Sequence, residues 1–129
     1  MGKYANPLVM DEGLKHIQNN CNRITACSGQ PTTYSLAITA VGSGNMLGDL
    51  GALDAADLPL ADSPGGGRQC TVLSQTIQMT YSGSFDHLAL VDDTNSILIY
   101  VIPVTAPQTV VGGNTVDTGD VTITISDVA

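Results

Sequence analysis

The stretch that decides the fold runs from Phe85 to Ile102 and reads FDHLALV-DDTN-SILIYVI. Two apolar, β-branched runs flank four polar turn-formers, Asp92, Asp93, Thr94 and Asn95, which is the pattern of a β-hairpin. A connection of this length suits a turn built on type I geometry. A half-exposed strand would alternate apolar and polar residues, but both arms are apolar at nearly every position. Both faces are therefore expected to be covered, by a second sheet or by another subunit.

Strand signals continue on either side, so the strand core is placed from Arg68 to Val128. Gln69 to Tyr81 alternates: Thr71, Leu73, Gln75, Ile77, Met79 and Tyr81 share a mainly apolar face, and Val72, Ser74, Thr76, Gln78 and Thr80 share a polar one. This predicts one half-buried antiparallel strand. Pro103 and Pro107 mark edges or bends. Gly112–Gly113–Asn114 reads as a turn, and Val121 to Ser126 alternates with Val121, Ile123 and Ile125 inward. Short strands separated by Gly, Asn and Asp turns predict a mainly β chain, an antiparallel β-sandwich or barrel.

Upstream, residues 1–6 form a short arm, and Asn6–Pro7 looks like a helix cap followed by proline at the first helical position. Met10, Leu14, Ile17 and Cys21 recur at helical spacing, which predicts one N-terminal α-helix over residues 7–20. His16 falls on its solvent side, and Asp11–Lys15 is an i,i+4 pair. Arg23 to Cys27 reads as a short strand. Thr33 to Val41 fits a strand or an irregular excursion. Residues 42–67 have no steady period and read as a long loop, with room for a helical turn at Leu53–Asp57. Such a loop is expected to lie along a neighbour.

At 129 residues the chain is expected to form a single β-rich domain with one modest core. Only 12% of residues are charged, against an average near 25%, which suits a β protein living in an assembly. Eleven Asp and one Glu outweigh Lys3, Lys15, Arg23 and Arg68, for a net charge of −8. Phosphate binding needs clustered cations, so no nucleic-acid partner is expected. No apolar run approaches the roughly 20 residues that span a bilayer, so no membrane partner is expected either. Cys21, Cys27 and Cys70 match neither a disulfide framework nor a zinc pattern, and read as buried thiols of a protein made in reducing cytosol.

No constellation of residues carries chemistry. Asp117–Thr118–Gly119 matches the tripeptide of aspartic proteases, whose paired carboxylates share one proton. Here it comes late in the chain and is followed by Asp120, so it reads as a turn feeding the last strand. Asp92–Asp93–Thr94–Asn95 lacks the spacing of a calcium loop. His16 and His87 have no companion at metal spacing, and Gly65–Gly66–Gly67–Arg68 is not a phosphate cradle. The sequence therefore predicts no catalytic residue, no metal and no cofactor.

Several stretches, in order, resemble small virion structural proteins of tailed bacteriophages, of the capsid decoration or cement type. They are Asn19–Asn20 leading into Ile24 through Tyr34, Gly67 through Val72, and Asp86 through Asp92. Leu98 through Val101 and Val110 through Val116 complete the set. The resemblance implies a non-enzymatic protein made in the host bacterial cytoplasm and carried on the capsid surface of the virion. It implies a homotrimer at threefold or quasi-threefold positions, with the major capsid protein as partner. Lys3, Tyr4, Asn6 and Pro7 of the arm, with Leu58, Pro59 and Leu60 of the loop, are the expected capsid or subunit contacts. The alternatives are another virion part, such as a tail, head-tail or fibre-base protein, and a carbohydrate- or receptor-binding β-sandwich.

Overall fold

The computed structural model describes residues 7–125, with side chains from residue 12 onward. Strand occupies 51% of the chain and helix 15%, far more strand than the usual 20–25%. The chain is mainly β, with antiparallel curled sheets and one helix near the N-terminus, as a sandwich or barrel class requires. It divides into two compact units. Residues 21–53 and 75–118 form the larger one; the N-terminal helix, residues 54–74 and the C-terminal strand form the smaller.

The larger unit is built on a six-stranded sheet. In chain order its strands are β1 (Arg23–Cys27), β2 (Met46–Gly51), β5 (Thr76–Met79), β6 (Gly83–Asp92), β7 (Ile97–Val110) and β8 (Thr115–Asp117). They lie in the order β7-β6-β1-β2-β5-β8. The hairpin read from the sequence is β6–β7, with Leu90 opposite Tyr100 and Asp92 opposite Ile97. Asp92 is buried and closes the turn, accepting hydrogen bonds from Asn95 N at 3.2 Å and Asn95 Nδ2 at 2.7 Å. The four turn residues therefore act as a turn.

Burial in β6 runs without a gap from Leu88 through Asp92, and in β1 from Ile24 through Cys27. Successive strand residues point to opposite faces, so both faces of both strands are dry. One cover is α2 (Tyr34–Ile38). Cys27, Ala37, Ala89 and Val91 form a buried cluster, with Tyr34, Ile38, Leu98 and Val101 packed against it. Thr33 starts this helix: it is extended, and its hydroxyl accepts the Leu36 N–H at 3.1 Å. One and a half turns are too few to show a helical period, so residues 33–41 read as strand or irregular.

The second arm of the hairpin departs from expectation. β7 is the last strand of the sheet, and Ile97 and Tyr100 are 41% and 44% exposed. Two-sided cover holds for β6 and fails for β7 within one chain.

The expected loop over 42–67 is a second departure. It contains β2, which is central to the larger sheet, then a 3-10 turn at Ala55–Asp57 and a short strand β3 (Leu60–Asp62). β2 reads MLGDLG, with neither alternation nor β-branching, because its neighbours choose its residues. A methyl group at Gly48 would overlap the Gln78 carbonyl oxygen of β5. Asp49 is held by Arg23 across the sheet. The helical turn anticipated at Leu53–Asp57 is present, with Asp54 capping it through the Ala56 N–H.

The single strand expected from Gln69 to Tyr81 is two strands in different sheets. β4 (Arg68–Val72) buries Cys70 and Val72, while β5 buries Ile77 and Met79. The inward parity changes from even to odd across Leu73–Ser74–Gln75. Alternation alone cannot show such a change, because Thr, Ser and Gln fit either face.

In the smaller unit β4 lies between β3 and β9 (Val121–Ile125). Ile123 is buried, Val121 and Ile125 are half-buried, and Thr122 and Thr124 are exposed, as the alternation indicates. The helix read over 7–20 is α1 (Pro7–Asn20), with Leu14 and Ile17 buried and His16 exposed. Lys15 reaches Glu12 at 3.7 Å; the side chain of Asp11, its expected partner, lies outside the described residues. No described helix is long and apolar enough to cross a membrane.

Two substitutions test this packing by chemical denaturation. Leu90→Ala, at a site with no exposure, should cost about 2–5 kcal/mol. Gly48→Ala should cost about 1–3 kcal/mol by forcing β2 from β5. Tyr81→Ala, at a residue 39% exposed, should cost much less than either.

Candidate functional site

The sixteen charged residues are distributed unevenly along the chain. None falls between Ile24 and Gly48, and none between Thr94 and Val116. The fold brings these two neutral runs together in the larger unit. A groove of about 440 Å³ is lined by Gln30, Pro31 and Thr32 from the first run and Leu98, Ile99, Tyr100 and Val101 from the second. Pro31 is buried, while Gln30 and Thr32 are exposed on the rim.

The open side of the groove belongs to β7. Ile97 through Ile102 are six apolar residues in a row, each at least partly exposed. An edge strand also presents unpaired backbone N–H and C=O groups. The pairing of β7 with β6 slips by one residue at Ile99, between Leu98 opposite Val91 and Tyr100 opposite Leu90, and the remainder of β7 is less regular still. Phe85 pairs with Gln108 and His87 with Pro103, so residues 104–107 stand opposite Asp86 alone and bulge out of the ladder. Pro103 and Pro107, which have no N–H, bound that bulge.

A polar cluster holds one end of this surface. The Arg23 guanidinium lies 2.7 Å from Asp49 and 3.4 Å from Asp93. The Tyr34 hydroxyl donates to Asp93 Oδ1 at 2.8 Å. Asn22 Oδ1 accepts the Asp93 N–H at 2.9 Å, and Asn22 Nδ2 donates to Thr94 Oγ1 at 3.2 Å. The hairpin turn, the start of β1 and α2 are thereby pinned to one another. Burial works against the Arg23 charge, but the hydrogen bond and charge of Asp49, with Asp93 behind, outweigh it and raise its pKa. The hydrogen bond to Asp93 raises the Tyr34 pKa above the ordinary 10.0.

Of the expected contact residues, Leu58, Pro59 and Leu60 belong to the smaller unit. Lys3, Tyr4 and Asn6 lie outside the described residues, as does the side chain of Pro7, which opens α1. Leu58 was expected on a free loop, but it is fully buried. Its carbonyl accepts the Gln18 Nε2 hydrogen bond at 3.0 Å, so its side chain is core and not a contact. Pro59 is exposed, with its carbonyl accepting the Thr71 N–H, and half-buried Leu60 pairs with Cys70. Strand pairing with β4 makes this segment a sheet edge.

The protease-like tripeptide serves structure. Thr76 Oγ1 donates to Asp117 at 2.7 Å, Thr118 Oγ1 accepts the Gln75 N–H, and Gly119 takes a positive φ of 67°. Asp120 accepts the Ser74 N–H at 2.8 Å. Among the described residues no group of His, Cys, Asp or Glu is placed to hold a metal ion. His87 Nδ1 lies 2.8 Å from Asp86, which also accepts the Gly29 N–H. The thiols of Cys27 and Cys70 are buried, and burial pushes both above the ordinary 9.0.

Sequence reading missed this surface because its halves lie some seventy residues apart, at Gln30 and Tyr100. The available signal was the absence of charge from both runs. The chain matches no protein-family model, no curated protein and no solved structure.

The Tyr34–Asp93 bond has a measurable consequence in pH. A raised folded pKa means that the stabilisation is whole below the ordinary tyrosine value and is lost as pH rises through the folded value. Asp93→Asn should lower the Tyr34 midpoint in an NMR titration and reduce the alkaline loss of stability due to Tyr34. An unchanged midpoint would contradict the assignment.

Proposed function

We propose that the chain is a non-enzymatic virion structural protein that decorates the outer surface of a capsid shell and stabilises it by contact. The observation that carries this reading is the uncharged, apolar edge of β7, which among the described residues pairs with β6 alone. Soluble monomers rarely leave such an edge open, because it templates pairing with other chains.

The sequence resemblance supports the same reading. Its pieces fall on β1 and the approach to α2, on β4, on β6, on β7 and on the turn into β8. They thus cover the hairpin and the groove beside it. The resemblance adds the major capsid protein as partner and a trimer at threefold or quasi-threefold positions. Tyr100 has aliphatic neighbours in Ile99 and Val101, which suits a protein partner better than a sugar, whose site needs several polar groups beside the ring.

Quantitative mass spectrometry of particles carrying the chain should find it in numbers comparable with the shell protein. A dozen copies or fewer would place it in the neck or tail and overturn the decoration reading. Deleting residues 1–6 tests the arm: occupancy on the shell should fall, and undiminished occupancy would remove Lys3, Tyr4 and Asn6 from the contact.

A further inference from the structure

The geometry points to residues Ile97 to Ile102 of β7 as the place where a second copy of this chain docks, by adding a strand to the six-stranded sheet. This goes beyond the virion reading by naming a surface through which two copies meet; pairing of like strands is two-fold, so it is a contact separate from the threefold one that the resemblance implies.

Three observations select this occupant. The first is the segment itself. Ile-Leu-Ile-Tyr-Val-Ile is six residues of high β propensity with no charge, no Pro and no Gly, which is the signature of a segment that pairs with its own kind. In such a pairing each copy supplies the row of N–H and C=O groups that the other lacks. The apolar side chains meet apolar side chains across the new pair, which favours it.

The second is charge. Each chain carries −8, so two copies repel one another over most of their surfaces. The face formed by the two neutral runs, Ile24 to Gly48 and Thr94 to Val116, avoids that cost. Along the groove the contact residues are Gln30 and Thr32 on one side and Leu98 to Val101 on the other, with no ionised side chain among them.

The third is where the edge is guarded most heavily. Natural edge strands are guarded by Lys, Pro or a bulge. β7 has one extra residue at Ile99, between Leu98 opposite Val91 and Tyr100 opposite Leu90, but both its prolines and its four-residue bulge come after Ile102, from Pro103 to Pro107. The heavier guards at that half leave Ile97 to Ile102 as the half of the strand open to pairing.

The test uses the purified full-length chain in solution, with no shell present, so that its failure leaves the copy-number measurement on particles to stand separately. Light scattering should give wild type the mass of more than one chain at micromolar concentration. Ile97→Lys and Tyr100→Lys place a charge at residues already more than a third exposed. Each should weaken association by at least about tenfold, equivalent to about 1.4 kcal/mol, while circular dichroism keeps its β signal. Tyr81→Lys, at a comparably exposed residue off this strand, should leave the mass unchanged. A wild-type mass of one chain would overturn the proposal. So would an oligomer that survives both β7 substitutions, or one that Tyr81→Lys dissociates equally.

Discussion

The pairing of β1 with β6 governs the larger unit, because it joins two strands that are dry on both faces. Ile24 sits opposite Leu90 and Ala26 opposite Leu88, all of them essentially without exposure. Each buried leucine contributes about 1.5–3 kcal/mol, and the ladder bonds between the strands form away from water. Whatever covers these strands must fit closely, since packing at this density tolerates little change of volume. The short helix at Tyr34–Ile38 meets that need on one face with Ala37, a side chain small enough to let its backbone approach Ala89 and Val91.

From that pair the sheet grows outward with decreasing cover. On one side come β2 and β5, tied by Gly48, where only a missing side chain lets the strands lie together. On the other side comes β7, joined to β6 by a turn that Asp92 closes from within. The Arg23 cluster fixes the turn to β1, which keeps the exposed arm of the hairpin in place relative to the groove beside it. An apolar, uncharged edge is costly to leave in water and well suited to a partner.

Some of this was legible in the residues alone. The β6–β7 hairpin, the N-terminal helix and the inward Val121, Ile123 and Ile125 follow from local periodicity, which those stretches obey. β2 was not legible, because Gly48 and Asp49 answer to Gln78 and Arg23 rather than to strand propensity. The change of parity between Val72 and Ile77 was hidden by residues that suit either face. Leu58 looked like a loop contact because its neighbours are Asp and Pro; its burial follows from pairing between β3 and β4. The neutral groove was half visible, as two long runs without charge, but nothing local says that Gln30 and Tyr100 meet.

Amide hydrogen exchange across the hairpin tests the central claim directly, in particles or oligomers that contain the chain. The amides of an edge strand that point away from its neighbour exchange quickly unless another strand takes them up. If β7 is covered by a partner, every amide from Leu98 to Ile102 should be protected to a degree comparable with Leu88 to Val91 of β6. Rapid exchange at the β7 amides that point away from β6 within the intact assembly would show an edge still open to water, and the account of this protein as one that works through that strand would fail.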